Sequence, residues 1–206
     1  MTEKTHDQLQ VERLTFFSDA VFAIAMTLLV VEVKLPPVPM ASEHALAEAL
    51  IALIPQYIGF FVSFVVVGRF WVGHHRVFGR LKRSDDRLVS LNLWFLLTIA
   101  FMPFPTTLVS HYVDTRVGVG FYAAWLTVAG FANIMLQRYA VRSGLAAPGG
   151  ADDLRRWSRA AWSPVVIGIV AFAAAMVTPL LAMVPLGLSP IIVGLFNRLP
   201  RTLPKS

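Results

Sequence analysis

The stretch Arg13-Leu-Thr-Phe-Phe17-Ser18-Asp19-Ala-Val-Phe-Ala-Ile24-Ala-Met-Thr27-Leu28-Leu-Val-Val31-Glu32 decides how this chain is read. It places an arginine, a serine and an aspartate at the mouth of a long apolar run, and the next charge after Asp19 is Glu32. A carboxylate at the end of a membrane-length segment is costly to desolvate and needs a partner, so it marks a functional or organising position. Behind it, Thr27 is the lone hydroxyl among aliphatic side chains.

The rest of the chain has the same character. Of its 206 residues 56% are hydrophobic and only 15% charged, with a mean hydropathy of +0.65. Several stretches approach the roughly 20 apolar residues that span a bilayer core. The fold class is therefore an all-α integral membrane protein, organised as a single six-helix transmembrane domain over residues 1–206. The spans are expected at about 11–34, 44–80, 86–111, 116–142, 153–177 and 181–197. Pro36 and Pro37 close the first, Pro55 lies within the second, Pro103 and Pro105 within the third, and Pro179 separates the fifth from the sixth. Such prolines are tolerated in a span when neighbours satisfy the freed carbonyls. The first ten residues are polar and of mixed charge, without an apolar core and cleavage pattern, so the first span is expected to remain in the mature protein.

The net charge of +6 has a topological meaning here, because basic residues cluster at span ends. With the N-terminus inside, Lys4, Arg13, Arg76, Arg80, Lys82, Arg83, Arg87, Arg138, Arg142, Arg155, Arg156, Arg159, Arg198, Arg201 and Lys205 fall on one side. The other side holds Lys34 and Arg116, and Arg69 lies within the second span. That asymmetry predicts both termini to be cytoplasmic and the number of spans to be even. Four spans would strand a basic cluster outside. The same reading removes nucleic acid as a partner. There are no cysteines, so thiolate metal sites and disulfides are excluded. Neither G-x-S-x-G nor H-E-x-x-H occurs, which speaks against an enzyme.

Helical spacing puts Ile24, Thr27, Leu28 and Val31 on one side, with Phe17 and Ala20 below them, while Asp19 and Ser18 lie roughly 120–140° away. The aliphatic stripe faces lipid, packs as core, or meets copies of itself in a constriction that excludes water; the spacing does not choose among these. Thr27 faces the permeating species or returns its hydroxyl to the backbone. The second span ends Arg69-Phe-Trp71-Val-Gly-His74-His75-Arg76, near the depth of Asp19. Asp19 only accepts hydrogen bonds, Trp71 donates, and a histidine donates from either nitrogen. A network of Arg13, Ser18, Asp19, Trp71 and one of the two histidines would satisfy the carboxylate. It would serve as a structural clamp or as a pH-sensitive element. His74 and His75 point about 100° apart and cannot chelate as an i, i+4 pair does, so no metal site is expected. His6, His44 and His111 are expected in solvated positions.

Arg13-x-x-x-Phe17-Ser18-Asp19 followed by Ala-Val-Phe-Ala-Ile-Ala-Met-Thr-Leu-Leu resembles the signature of the transmembrane protein 175 family. Trp71-x-x-His74-His75, Asn92 and Pro103-Phe104-Pro105-Thr106 resemble its bacterial branch. The resemblance implies a potassium-permeable channel of the bacterial inner membrane, a homotetramer surrounded by lipid, with the first helix of each subunit lining the pore. No cofactor is implied. The family lacks a carbonyl filter, and no Thr-Val-Gly-Tyr-Gly occurs here. By the resemblance, Ile24 takes the hydrophobic constriction, Leu28 and Val31 the adjoining pore positions, and Thr27 a hydroxyl position tied to cation selectivity. Arg13, Phe17, Ser18, Asp19, Trp71 and His74 or His75 take the network that holds the first helix. Val31 is smaller than the leucine expected there. A competing class is a proton-coupled transporter or a proton-permeable channel, with Asp19 and a histidine of the second span as relay. Transporters commonly carry internal repeats and charges at mid-membrane. Here no repeat is visible and the charges gather at one end.

Overall fold

The computed structural model describes residues 6–37, 42–147 and 161–188. Among these the regular elements are helices, with one isolated bridge between Leu81 and Ala146. The helices are α1 (His6–Val31), α2 (Glu43–Ala52), α3 (Ile54–Phe78), α4 (Asp86–Ala100), α5 (Pro103–His111), α6 (Arg116–Arg142), α7 (Ser163–Val177) and α8 (Pro179–Gly187). Four stretches are long and apolar enough to cross a bilayer: α1, α3, α4 with α5 taken together, and α6. The chain is a multi-pass membrane protein by this measure.

Proline explains the main departures from the expected spans. The second span, read as one helix over 44–80, is two helices that meet at Leu53. Pro55 has no N–H to give the carbonyl one turn back, and its ring crowds that carbonyl. The chain tightens there instead, with Leu53 N–H on the Leu50 carbonyl at 3.3 Å and Gln56 N–H on the Leu53 carbonyl at 2.9 Å. The third span, read as 86–111, breaks the same way before Pro103. Met102 N–H reaches back only to Ile99 and Phe104 N–H only to Phe101, at 3.0 and 3.1 Å. Pro103 and Pro105 then occupy the first turn of α5, where no N–H partner is lost. α1 starts earlier than expected, at His6, and ends at Val31 rather than at 34. α6 has the bounds expected of it. α8 begins at Pro179, two residues before the expected start at 181. The first part of the expected fifth span (153–160) and the end of the sixth (189–197) lie outside the described residues, as do Lys4, Arg155, Arg156, Arg159, Arg198, Arg201 and Lys205.

The helix order brings the basic clusters to one end of the bundle. Lys82 N–H meets the Leu145 carbonyl at 2.9 Å and Ala147 N–H meets the Arg80 carbonyl at 2.8 Å, which pins the α3–α4 turn to the end of α6. Asp85 caps α4 by accepting from Leu88 N–H at 2.8 Å, and its second oxygen accepts from the Tyr139 hydroxyl at 2.5 Å. The start of α1 lies at the same end. Among the described residues the opposite end has Lys34 and Arg116 as its cations.

The buried core runs through α1, α3, α4 and α6, from Phe22 and Ala25 through Val67 and Phe70 to Phe95, Ile99, Tyr122 and Leu126. α7 lies along α6 with very little between the backbones. A Cβ added at Gly168 would sit 2.8 Å from the Ala123 carbonyl, and one at Gly130 would sit 3.0 Å from Val165 N. Glycine lets these two helices approach where lipid supplies no hydrophobic drive between them.

Candidate functional site

α1 is two-sided. Val11, Ser18, Phe22, Ala25 and Leu29 are buried against α3 and α4, one residue per turn or two. Ile24, Leu28 and Val31 stand on the other side, 59%, 44% and 58% exposed, with Phe17 below them at 50%. Arg13, Ala20 and Thr27 are exposed on that side as well. Thr27 returns its hydroxyl proton to the Ile24 carbonyl at 2.9 Å, which leaves its oxygen lone pairs facing outward.

The buried side is fixed at the basic end by two separate sets of polar contacts. In the first, Trp71 Nε1 donates to Asp19 Oδ1 at 2.7 Å, tying α3 to α1. This short bond to a carboxylate is of the charge-assisted kind, stronger than a neutral one. The Asp19 side chain is half-buried. In the second set, the Asn92 side chain of α4 bridges α1 and α3. Its Nδ2 donates to Ser18 Oγ at 2.9 Å, and its Oδ1 pairs with His74 Nε2 at 2.8 Å. Ser18 Oγ in turn donates to the Leu14 carbonyl at 2.8 Å.

An amide oxygen only accepts, so His74 must carry its proton on Nε2. The bonds then run His74 to Asn92, Asn92 to Ser18, and Ser18 to the α1 backbone. His74 Nδ1, buried, has no hydrogen-bond partner among the described residues, as befits a neutral ring. Aromatic faces enclose that ring. Phe78 stacks on it at 4.0 Å, and Phe22 and Phe95 lie 5.6 and 6.1 Å away.

The expected network is thus divided. Ser18 with His74, and Asp19 with Trp71, are brought together; no hydrogen bond joins Asp19 to a histidine among the described residues. Arg13 and Phe17 point away from both sets. His75 is exposed, with its ring 5.6 Å from that of Trp71. It lines an open cleft of about 490 Å³ with Gln8, Glu12, Thr15, Phe16 and Phe78. Asn92, noticed in the sequence only as part of a resemblance, is the residue that joins three helices. One signal was available beforehand: Asn92 sits in the apolar run Leu91 to Ile99 at a depth where Ser18 and His74 also need partners. Among the described residues no group of acidic or histidine side chains could hold a metal ion. His111 is exposed, bonded through Nδ1 to the Thr107 carbonyl at 2.9 Å.

A second buried hydroxyl cluster lies further along the bundle. Ser63 of α3 meets the Tyr122 hydroxyl of α6 at 3.0 Å and the Thr106 hydroxyl of α5 at 2.8 Å. It gives α5 and α6 the polar fastening to α3 that Asn92 gives α4.

Fold and site together define a multi-pass helical membrane protein whose first helix is anchored on one face and bare on the other. A family described as the endosomal/lysosomal potassium channel TMEM175 matches residues 13–103, from α1 to the start of α5. The solved structure of a lysosomal potassium-selective channel TMEM175 homolog from Chamaesiphon minutus is similar over 93% of this chain and 100% of that one, with a TM-score of 0.80 and 30% identity. This chain belongs to the TMEM175 family. A potassium channel of Chamaesiphon minutus is 38% identical over 120 residues, 57% of this chain and 59% of that protein. One of Streptomyces collinus is 43% identical over 101 residues, 49% of this chain and 48% of that protein. The endosomal/lysosomal proton channel TMEM175 of Mus musculus is 33% identical over 104 residues, 48% of this chain and 21% of that protein. The chain spans about half the length of the first two of these relatives.

Proposed function

We propose that this chain is a potassium-permeable channel of a bacterial inner membrane. It carries six spans, with both termini in the cytoplasm at the basic end. Four copies surround one ion path, each turning the bare side of α1 to the axis. Ile24 forms the narrowest ring, Leu28 and Val31 continue it outward, and the Thr27 oxygen offers a polar contact within it. Branched side chains meeting at an axis exclude water, and an ion cannot cross until the ring widens. The opposite side of α1 must then stay fixed, and the Asp19–Trp71 bond together with the Ser18–Asn92–His74 chain serves that purpose.

The observation that carries this reading is the exposed aliphatic stripe Ile24, Leu28 and Val31, back to back with hydrogen-bonded anchors on the same helix. The similarity to a potassium-selective channel over nearly the whole chain supports it. Potassium-loaded liposomes containing the purified protein test it. A potassium gradient alone should drive a voltage-sensitive dye, with no counter-substrate present. Transport that requires a proton gradient would overturn it.

A proton-permeable channel is the second reading, favoured by the relatives named proton channels. Its relay would run between Asp19 and His74 or His75, which no hydrogen bond joins directly among the described residues. A pH-sensitive dye inside the same liposomes distinguishes the two readings.

A further inference from the structure

Arg69 is a charge that neither the anchor nor the stripe uses. It lies nine residues before the end of α3, so about 13 Å inside the helix by its rise. An intramembrane arginine needs an anion or a route to the interface. Among the described residues Arg69 has no hydrogen-bond or ion-pair partner, and neither has Arg76. The two stand at i and i+7 and share a face of α3. Gly73 stands between them at i+4. A Cβ there would meet Gln137 Nε2 of α6 in ordinary contact, at 3.8 Å. Away from the basic end the same face continues as Val65, Val62 and Ile58. Ile58 and Val65 are exposed and Val62 is half-buried.

Two guanidiniums without a partner among the described residues, at the basic end of an outward apolar stripe, match one chemistry. We propose that Arg69 and Arg76 bind the phosphate of an anionic phospholipid, with an acyl chain lying along Val65, Val62 and Ile58. A guanidinium offers paired donors to phosphate oxygens, and its aliphatic stem lies comfortably against the helix while the head reaches for the interface. Basic sites on the cytoplasmic side of membrane helices recruit anionic headgroups in this way. The stripe makes the occupant a lipid and not free phosphate. The proposal needs only a membrane protein, so it stands or falls separately from potassium conduction.

The test uses the full-length protein in detergent, given equal amounts of phosphatidylglycerol and phosphatidylcholine with matched acyl chains. Native mass spectrometry then reads the lipids retained. The wild type should prefer phosphatidylglycerol. R76Q, at the exposed helix end where folding is not threatened, should lower that preference about fivefold, the scale of one basic residue at an anionic surface. R69Q/R76Q should retain the two lipids nearly equally, while R142Q should behave as wild type. Equal retention by the wild type, or an undiminished preference in R76Q, overturns the proposal. So does a change in the number of chains per particle in R69Q/R76Q, which would mean that a carboxylate of a second copy occupies this face.

Discussion

α1, α3 and α4 are joined by side chains that reach one another; α6 and α7 are joined by side chains that are missing. In the first region Asn92 and Trp71 span the gaps between helices with directed hydrogen bonds. In the second, Gly130 and Gly168 bring backbones close to the neighbouring helix. The two devices differ in what they specify. A hydrogen-bonded bridge fixes rotation as well as distance, because donor and acceptor must face each other. Glycine contact fixes distance and leaves the identity of surrounding apolar residues open. The family match over residues 13–103 covers α1 to α4 and not the α6–α7 contact. Rotation matters for α1 because it determines which side chains the helix presents away from the bundle.

The comparison is broken most severely by adding bulk where backbones meet. Gly168→Leu should cost about 3 kcal/mol through overpacking, since the Ala123 carbonyl cannot give way as a flexible side chain can. Detergent-titrated unfolding followed by helical circular dichroism would register it as an early transition. Retained stability in this variant would mean that α6 and α7 are not packed as described. Next in size, Asn92→Ala strips partners from Ser18 and His74 together, both buried, at about 1–3 kcal/mol. The same titration measures it, and the loss should exceed that of Ser90→Ala on the exposed side of α4.

A smaller loss sharpens the division between the two bond sets. Trp71→Phe keeps most of the ring and removes one donor, for about 1 kcal/mol. Combined with Asn92→Ala, a coupling of about 0.5 kcal/mol or more is expected, because the two bonds grip adjacent residues, Ser18 and Asp19, on α1. Additive losses in that double-mutant cycle would show that the two bond sets hold α1 independently. The smallest effect on packing within the subunit is expected at Ile24→Asn, whose side chain is 59% exposed there. Its effect on conduction should be the reverse: a polar ring holds water, so resting leak in liposomes rises. Unchanged leak would count against a constriction at Ile24.

How much of this was legible beforehand follows from the kind of information each feature needs. The two-sidedness of α1 was readable, because helical spacing alone places Ser18 opposite the Ile24 stripe. The bounds of α6 were readable from a long apolar run with charges at both ends. The breaks at Leu53 and Met102 were underread. A proline inside an apolar run is compatible with a continuous kinked helix or with two helices, and neighbouring packing decides between them. The contacts within the site divide differently from the single network expected. Trp71 was matched to Asp19 by depth and chemistry, but the histidine was assigned to the same carboxylate, whereas it bonds Asn92 from a third helix.

Composition, charge asymmetry and spacing were sufficient for the membrane class, the gathering of arginines at one end and the two faces of the first helix, because each is a property of local sequence and its period. The pairing of Asn92 with Ser18 and His74, the exposed position of His75 and the closeness of α6 to α7 were decided by tertiary structure alone. Those depend on which helices lie side by side and at what rotation, and residues 74 positions apart share no period.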